Sequence, residues 1–135
     1  MKGYGVNIRL VEAGALLHDI GRGQTHGIEH GAIGGMMARK LGMPMELVHI
    51  IERHVGAGLT IEDARMNGLP KGCYVPETLN EKIVCYSDKL IEGDHEIRIE
   101  VTIDIFSQEL GSDHPAIKRL QALQEEITSV VGDKF

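Results

Sequence analysis

The run Ala15-Leu16-Leu17-His18-Asp19-Ile20-Gly21-Arg22 decides how this chain is read. An apolar segment fit for burial ends on an imidazole and a carboxylate. Two ionisable groups at the end of a buried segment are costly unless something satisfies them. A divalent metal does this well, because neutral His nitrogen and ionised Asp oxygen are both good ligands. His30, His54 and Asp88 recur downstream at helix-compatible positions. The five residues outline a metal site assembled from several helices, and the fold expected around it is all-α.

The chain has 135 residues, enough for one domain with its own core. Hydrophobic residues make up 42% and charged ones 25%, the profile of a soluble globular protein. No run approaches the roughly 18 apolar residues of a membrane span. The opening Met1-Lys2-Gly3-Tyr4-Gly5 lacks the features of a signal peptide, so a cytoplasmic protein is expected. A formal charge of -6 argues against a broad basic surface for duplex nucleic acid. It is compatible with a small phosphate-bearing substrate, because a local metal overrides a global negative field. Cys73 and Cys85 make no disulfide framework and read as reduced thiols. Tryptophan is absent and aromatics are 4%, so no base-stacking platform is expected.

Glycine punctuates the helices. Asn7 caps a first helix over about 8–20, which Gly21 and Gly23 break. A second helix over about 28–41 places His30, Ile33, Met37 and Leu41 on one face, and Gly42 stops it. Pro44 opens a third, to about His54, with Leu47, Ile50, Ile51 and His54 as its apolar face. Thr60 with Asp63 reads as a capping box for a short helix that Asn67-Gly68 ends; residues 69–76 read as loop. Thr78 with Glu81 reads as a second box, starting a helix to about Glu92 that Gly93 closes. Residues 97–105 alternate Ile97, Ile99, Val101, Ile103 and Ile105 with polar residues, so a short strand-like segment is expected near 96–105, with a helix as the competing reading. Such a strand would need a partner in another subunit. Ser112 or Asp113 caps the last helix, with Pro115 in its first turn.

Each candidate has a plain structural alternative: a satisfied core His, a helix-cap His, or a buried carboxylate paired with Lys or Arg. His18 and Asp19 diverge by about 100° near a helix end, so both reach one point beyond it. The sequence resembles the HD superfamily of metal-dependent phosphohydrolases, in its H-D-I-G subgroup. The resemblance rests on His18-Asp19-Ile20-Gly21-Arg22, His30 with Gly34, Glu52-Arg53-His54, and Ser87-Asp88, in the superfamily's order of ligands. It covers about Leu10 to Glu92; the motif-bearing core runs over about 8–93 of a single 1–135 domain, with a family-specific tail over 94–135.

The resemblance implies an HD-type helical bundle that holds one or two divalent ions (Mn, Fe, Co, Ni, Mg or Zn). The implied ligands are His18, Asp19 and Asp88 for one ion and His30 and His54 for a second, bridged through Asp19. It implies hydrolysis of a phosphate mono- or diester, nucleotide-like, by metal-activated water, with Asp19 and Arg22 as catalytic residues. Arg22 would bind phosphate; Arg53 and Lys89 are weaker candidates for that task, and His26 is a candidate proton donor. The superfamily normally adds one more His from an upstream helix, and none precedes His18. That gap leaves three expectations open: a longer natural protein, a ligand from another residue or subunit, or loss of tight metal binding. Together with the unpaired strand it predicts a homodimer. Two other functions stand beside hydrolysis: a catalytically weak nucleotide-binding or regulatory module, and a di-iron oxidoreductase.

Overall fold

The computed structural model describes residues 6–92 and 95–131. Seven α-helices lie among them: α1 (Ile8–Leu17), α2 (His30–Lys40), α3 (Met45–Glu52), α4 (Ile61–Met66), α5 (Leu79–Asp88), α6 (Ile99–Leu110) and α7 (Pro115–Val131). A 3-10 turn, Ile20–Gly23, follows α1, and a two-stranded ribbon, β1 (Ile91–Glu92) and β2 (His95–Glu96), separates α5 from α6. The ribbon is antiparallel, pairing Ile91 with Glu96 and Glu92 with His95. The all-α expectation holds, and no helix among the described residues is long and apolar enough to cross a membrane.

Local chemistry explains most boundaries. The Asn7 side chain accepts from Leu10 N, and its own N–H is taken by Asn80 on α5, which ties the start of α1 to the neighbouring helix. Thr60 and Asp63 form the full capping box expected of α4. The box expected at α5 is only half made. Thr78 accepts from Glu81 N, but the Glu81 carboxylate bonds Glu77 N and Arg53 instead of closing the box. At α7 the cap is His114, whose Nδ1 accepts from Ala116 N, in place of Ser112 or Asp113. Helix α5 stops at Asp88 and β1 follows, so it is shorter than expected; Gly93 lies outside the described residues.

The strand-like reading of 96–105 is corrected by α6. Only Glu96 of that stretch is in the ribbon; from Ile99 onward the backbone is helical. The alternation hides a second pattern. Ile99 and Thr102 are buried, and Ile103 and Phe106 pack partly buried against the core. Those positions are offset by +3, +4 and +7, one face of a helix. A strand here would have lacked a partner for its backbone groups among the described residues, whereas a helix satisfies its own.

Three apolar clusters hold the bundle. Ala38, Leu47, Val48 and Ile51 join α2 to α3, with Leu10, Ala13 and Leu17 of α1 packed on them. Ile83, Cys85 and Tyr86 of α5 meet Ile99 of α6 and Leu120, Leu123 and Ile127 of α7. Ala32, Leu59, Ala64 and Tyr74 seal α4 and the following loop. Close helix approach depends on Gly14, where a Cβ would lie 2.6 Å from Ile50 Cγ2, and on Gly34, where it would lie 2.8 Å from Ile51 Cγ2. This packing brings the ends of α1, α3 and α5 and the start of α2 to one place.

Candidate metal centre

The five candidate ligands meet there. His18 is the C-cap of α1, Asp19 precedes the 3-10 turn, His30 opens α2, His54 lies just past α3, and Asp88 ends α5. Asp19 sits in the middle. Its Oδ1 is 3.3 Å from both His30 Nε2 and His54 Nε2, and its Oδ2 is 3.3 Å from His18 Nε2. His18 Nε2 also lies 3.1 Å from Asp88 Oδ1. His18, Asp19 and His54 form a group whose ligand atoms all fall within 4.8 Å of one another.

The three imidazoles are oriented in the same way. His18 Nδ1 faces Ala15 O at 2.9 Å, His30 Nδ1 faces Gly27 O at 2.9 Å, and His54 Nδ1 faces Ile51 O at 2.6 Å. A carbonyl oxygen only accepts, so each Nδ1 carries the proton and donates it. In the neutral rings every Nε2 therefore turns a lone pair inward. His30 Nε2 and His54 Nε2 stand 2.9 Å apart with that arrangement. Facing lone pairs beside a carboxylate oxygen call for a cation between them. Outer hydrogen bonds that fix the tautomer are the usual support of metal-ligating histidines. The donor set, three imidazole nitrogens and two carboxylates, fits a divalent ion of intermediate softness.

The electrostatics divide the site. The close approach of His54 is the main reason the Asp19 carboxyl lies far below the usual range, with burial opposing. Burial also opposes charge on Asp88, but His18 and the Lys89 ammonium outweigh it and hold that carboxyl low as well. Burial opposes protonation of His18 too, yet the hydrogen bond and charge of Asp88 and the charge of Asp19 raise it above its ordinary value. His30 shifts the other way, lowered by burial and then by the nearby His54 and Arg22.

Two clefts open from the centre. One, of about 340 Å³, runs past Arg22, His30, His54 and Asp88 to Ile97, Ile105 and Phe106. The other, of about 440 Å³, lies on the side of His18, Asp19 and Asp88, with Val11, Ala15 and Val84. Arg22 is at the first cleft, its Nε donating to Asp19 Oδ1 at 3.2 Å and its side chain half exposed. Gly21 is required beneath it, since a Cβ there would collide with the His30 carbonyl oxygen.

The weaker candidates are not placed to bind phosphate. Arg53 turns away from the centre, to Glu81 Oε1 at 2.9 Å, Glu77 Oε1 at 3.2 Å and Cys73 O at 3.3 Å. Lys89 is buried, its Nζ bonded to His54 O at 2.8 Å, Cys85 O at 3.0 Å and Asp88 Oδ2 at 3.0 Å. It positions a candidate ligand and fastens the α3 end to α5. His26 is exposed and lines neither cleft. The sequence reading missed Lys89 in this role, took Ile105 as part of a strand, and missed Phe106; the i, i+3, i+4, i+7 pattern of α6 was the signal that could have found Phe106.

Comparison with known proteins identifies the family. The HD domain family matches residues 1–93. An uncharacterised protein of Methanocaldococcus jannaschii is 49% identical over 130 residues, covering 96% of this chain and 77% of its own length. A tRNA (cytidine(56)-2'-O)-methyltransferase of Picrophilus torridus is 44% identical over 124 residues, covering 92% of this chain but 36% of its own. A ribonuclease Y of Chloroflexus aurantiacus is 30% identical over 130 residues, 95% of this chain and 20% of its own. The chain thus spans about a third of that methyltransferase and a fifth of that ribonuclease. No solved structure matches. The chain belongs to the HD-domain family.

Proposed function

We propose that this chain is a metal-dependent phosphohydrolase that cleaves a phosphate mono- or diester of nucleotide-like character. The observation that carries the reading is the convergence of three Nε2 atoms on Asp19, each ring locked by a carbonyl behind it. His18, Asp19, His30, His54 and Asp88 would hold one or two divalent ions. A bound ion of this kind acidifies water and neutralises a phosphoryl oxygen. Arg22 orients the phosphate from the mouth of the cleft, where a guanidinium can take two oxygens at once. Lys89 keeps the Asp88 carboxylate ionised and aimed at the centre. The ribonuclease Y relatives support phosphate-ester chemistry at the level of the family and name no substrate for this chain.

The test is metal content by inductively coupled plasma mass spectrometry on wild type beside Asp19→Ala, followed by a panel of phosphate mono- and diesters. About one or two transition metals per wild-type chain and none in the variant, with metal-dependent turnover of an ester, is the expected result. Wild-type protein that holds no metal after reconstitution, or equal metal in both proteins, refutes it.

A cytoplasmic homodimer remains part of this proposal. The unpaired strand no longer supports it, because residues 99–110 are helix. Leu16, 84% exposed on α1, and half-exposed Ile91 support an apolar surface that a second copy covers. Light scattering at micromolar concentration that reports a mass near 14.8 kDa removes the dimer.

A further inference from the structure

The cleft of about 340 Å³ is lined by two chemically different sets of side chains. One set is His30, His54, Asp88 and the Arg22 guanidinium. The other is Ile91, Ile97, Ile105 and Phe106, beside Lys89, whose ammonium is already bonded to His54 O, Cys85 O and Asp88 Oδ2. Three of these four follow residue 93, outside the segment that the HD family matches. Helix α6 is fixed in place for this task, because Thr102 Oγ1 donates to Lys89 O, the residue next to Asp88. Ile105 and Phe106 therefore face the centre from a rigid element anchored directly to it.

A cavity of this size is at the lower end of the roughly 300–1,000 Å³ typical of small-ligand sites. It has room for an anionic head and one compact body, and none for a folded polymer. Apolar lining beside residues suited to phosphate selects a ligand with no charge on its body. Phe106, which also packs against the α5–α7 cluster, adds an aromatic ring to the lining, and a pair of aromatic rings gains more than its buried area alone gives.

We propose that Phe106, backed by Ile105 and Ile97, is a specificity-determining residue that stacks on a planar aromatic ring in the leaving group of the phosphate ester. This rests on the phosphohydrolase reading of the same cleft. The aromatic content of the chain is low, but one ring needs only one partner.

The test uses the whole 135-residue chain loaded with manganese(II) and two probes, adenosine 5'-monophosphate and ribose 5-phosphate, which share the phosphorylated ribose and differ at C1, where the base is replaced by a hydroxyl. Dissociation constants come from calorimetry; where a probe is turned over, the ratio of kcat/KM values replaces the ratio of affinities. Wild type should favour the base-bearing probe by about tenfold or more, as single stacking contacts do. Phe106→Leu keeps an apolar side chain against the core and should erase most of that preference without changing affinity for ribose 5-phosphate or metal content. Phe106→Tyr should restore it. Equal affinity for the two probes in wild type, or a preference that survives in Phe106→Leu, overturns the inference while leaving hydrolysis intact. A base preference that Phe106→Leu erases, without any ester hydrolysis, upholds the stacking contact and overturns the phosphohydrolase reading instead. Failure of both probes to bind the loaded protein overturns both.

Discussion

Arg53 and His54 are neighbours in sequence and enter two different polar clusters. Arg53 meets Glu81, Glu77 and the Cys73 carbonyl, so one buried cation faces acceptors and the charges match. His54 meets Asp19 and His30, so acceptor faces acceptor. The first cluster is complete as it stands. The second is complete only with a positive charge added. The fold tolerates the imbalance because α1, α2, α3 and α5 hold the backbone around it, and because the carbonyls behind each ring fix its orientation. Two adjacent residues thus separate a group that stabilises the protein from a group poised to act.

That contrast can be broken first at Asp19. Asp19→Ala should lower divalent-metal affinity by more than about a hundredfold, beyond what the loss of an outer-sphere partner causes. The melting temperature of the metal-free protein should hold, because the Asp19 side chain is half exposed. Metal titration followed by calorimetric melting reads both. Arg53→Ala should do the reverse. It strands Glu81, 3% exposed, and should cost about 3–5 kcal/mol, while the folded fraction keeps its metal. Urea melts with metal analysis of the folded pool check it, and loss of metal from that pool would merge the two clusters into one.

Metal addition sharpens the difference further. At a free concentration about 100 times Kd, a divalent ion should stabilise wild type by about 2.7 kcal/mol, and a chelator should remove the gain. Acid separates the clusters by another route. In the folded protein, burial works against the Glu81 charge, but the Glu77 N–H and Arg53 overcome it and depress the carboxyl below its ordinary value of 4.5. The stability this brings is full above that value and lost as pH falls through the lower folded value. Glu81→Gln should therefore cost about 1 kcal/mol at pH 7, with the gap to wild type closing as pH falls through the lowered folded value. Melting curves across pH 3–7 give the answer, and a gap constant with pH would deny the charged pair its role. The smallest effect is expected at Arg22. Arg22→Ala should leave stability within about 0.5 kcal/mol and metal content unchanged, and raise KM several-fold. Loss of metal in that variant would make Arg22 a support of Asp19 instead.

The candidate ligands were legible because few residue types bind metals and because the order of the five survives as plain text. His18-Asp19 at the end of an apolar helix needs no tertiary knowledge to be noticed. Lys89 shows the limit. Its sequence neighbours suggest a free cation at the site, and only the packing of α3 on α5 reveals three acceptors around its ammonium. Helix α6 shows another. Counting Thr102 as polar made the segment alternate, whereas its hydroxyl is buried because the Lys89 carbonyl waits for it. Side chains that satisfy the backbone of a distant element carry no periodic signal. The same misreading concealed Phe106, one residue past the apparent end of the alternation.

The apolar cluster shared by α5, α6 and α7 bears on how this unit is inherited. Ile83, Cys85 and Tyr86 are buried by Ile99, Leu120 and Ile127, so the α5 side of the portion carrying the motifs is closed only by α6 and α7. A gene fragment ending at residue 93 would encode all five candidate ligands and still expose the apolar face of α5. Recombination that moved only the motifs would deliver a product with that face uncovered. The long methyltransferase of Picrophilus torridus is similar to this chain over 92% of its residues, so what it shares is the whole bundle. The smallest portable piece of this protein is set by where its core closes, well past its last chemically informative residue.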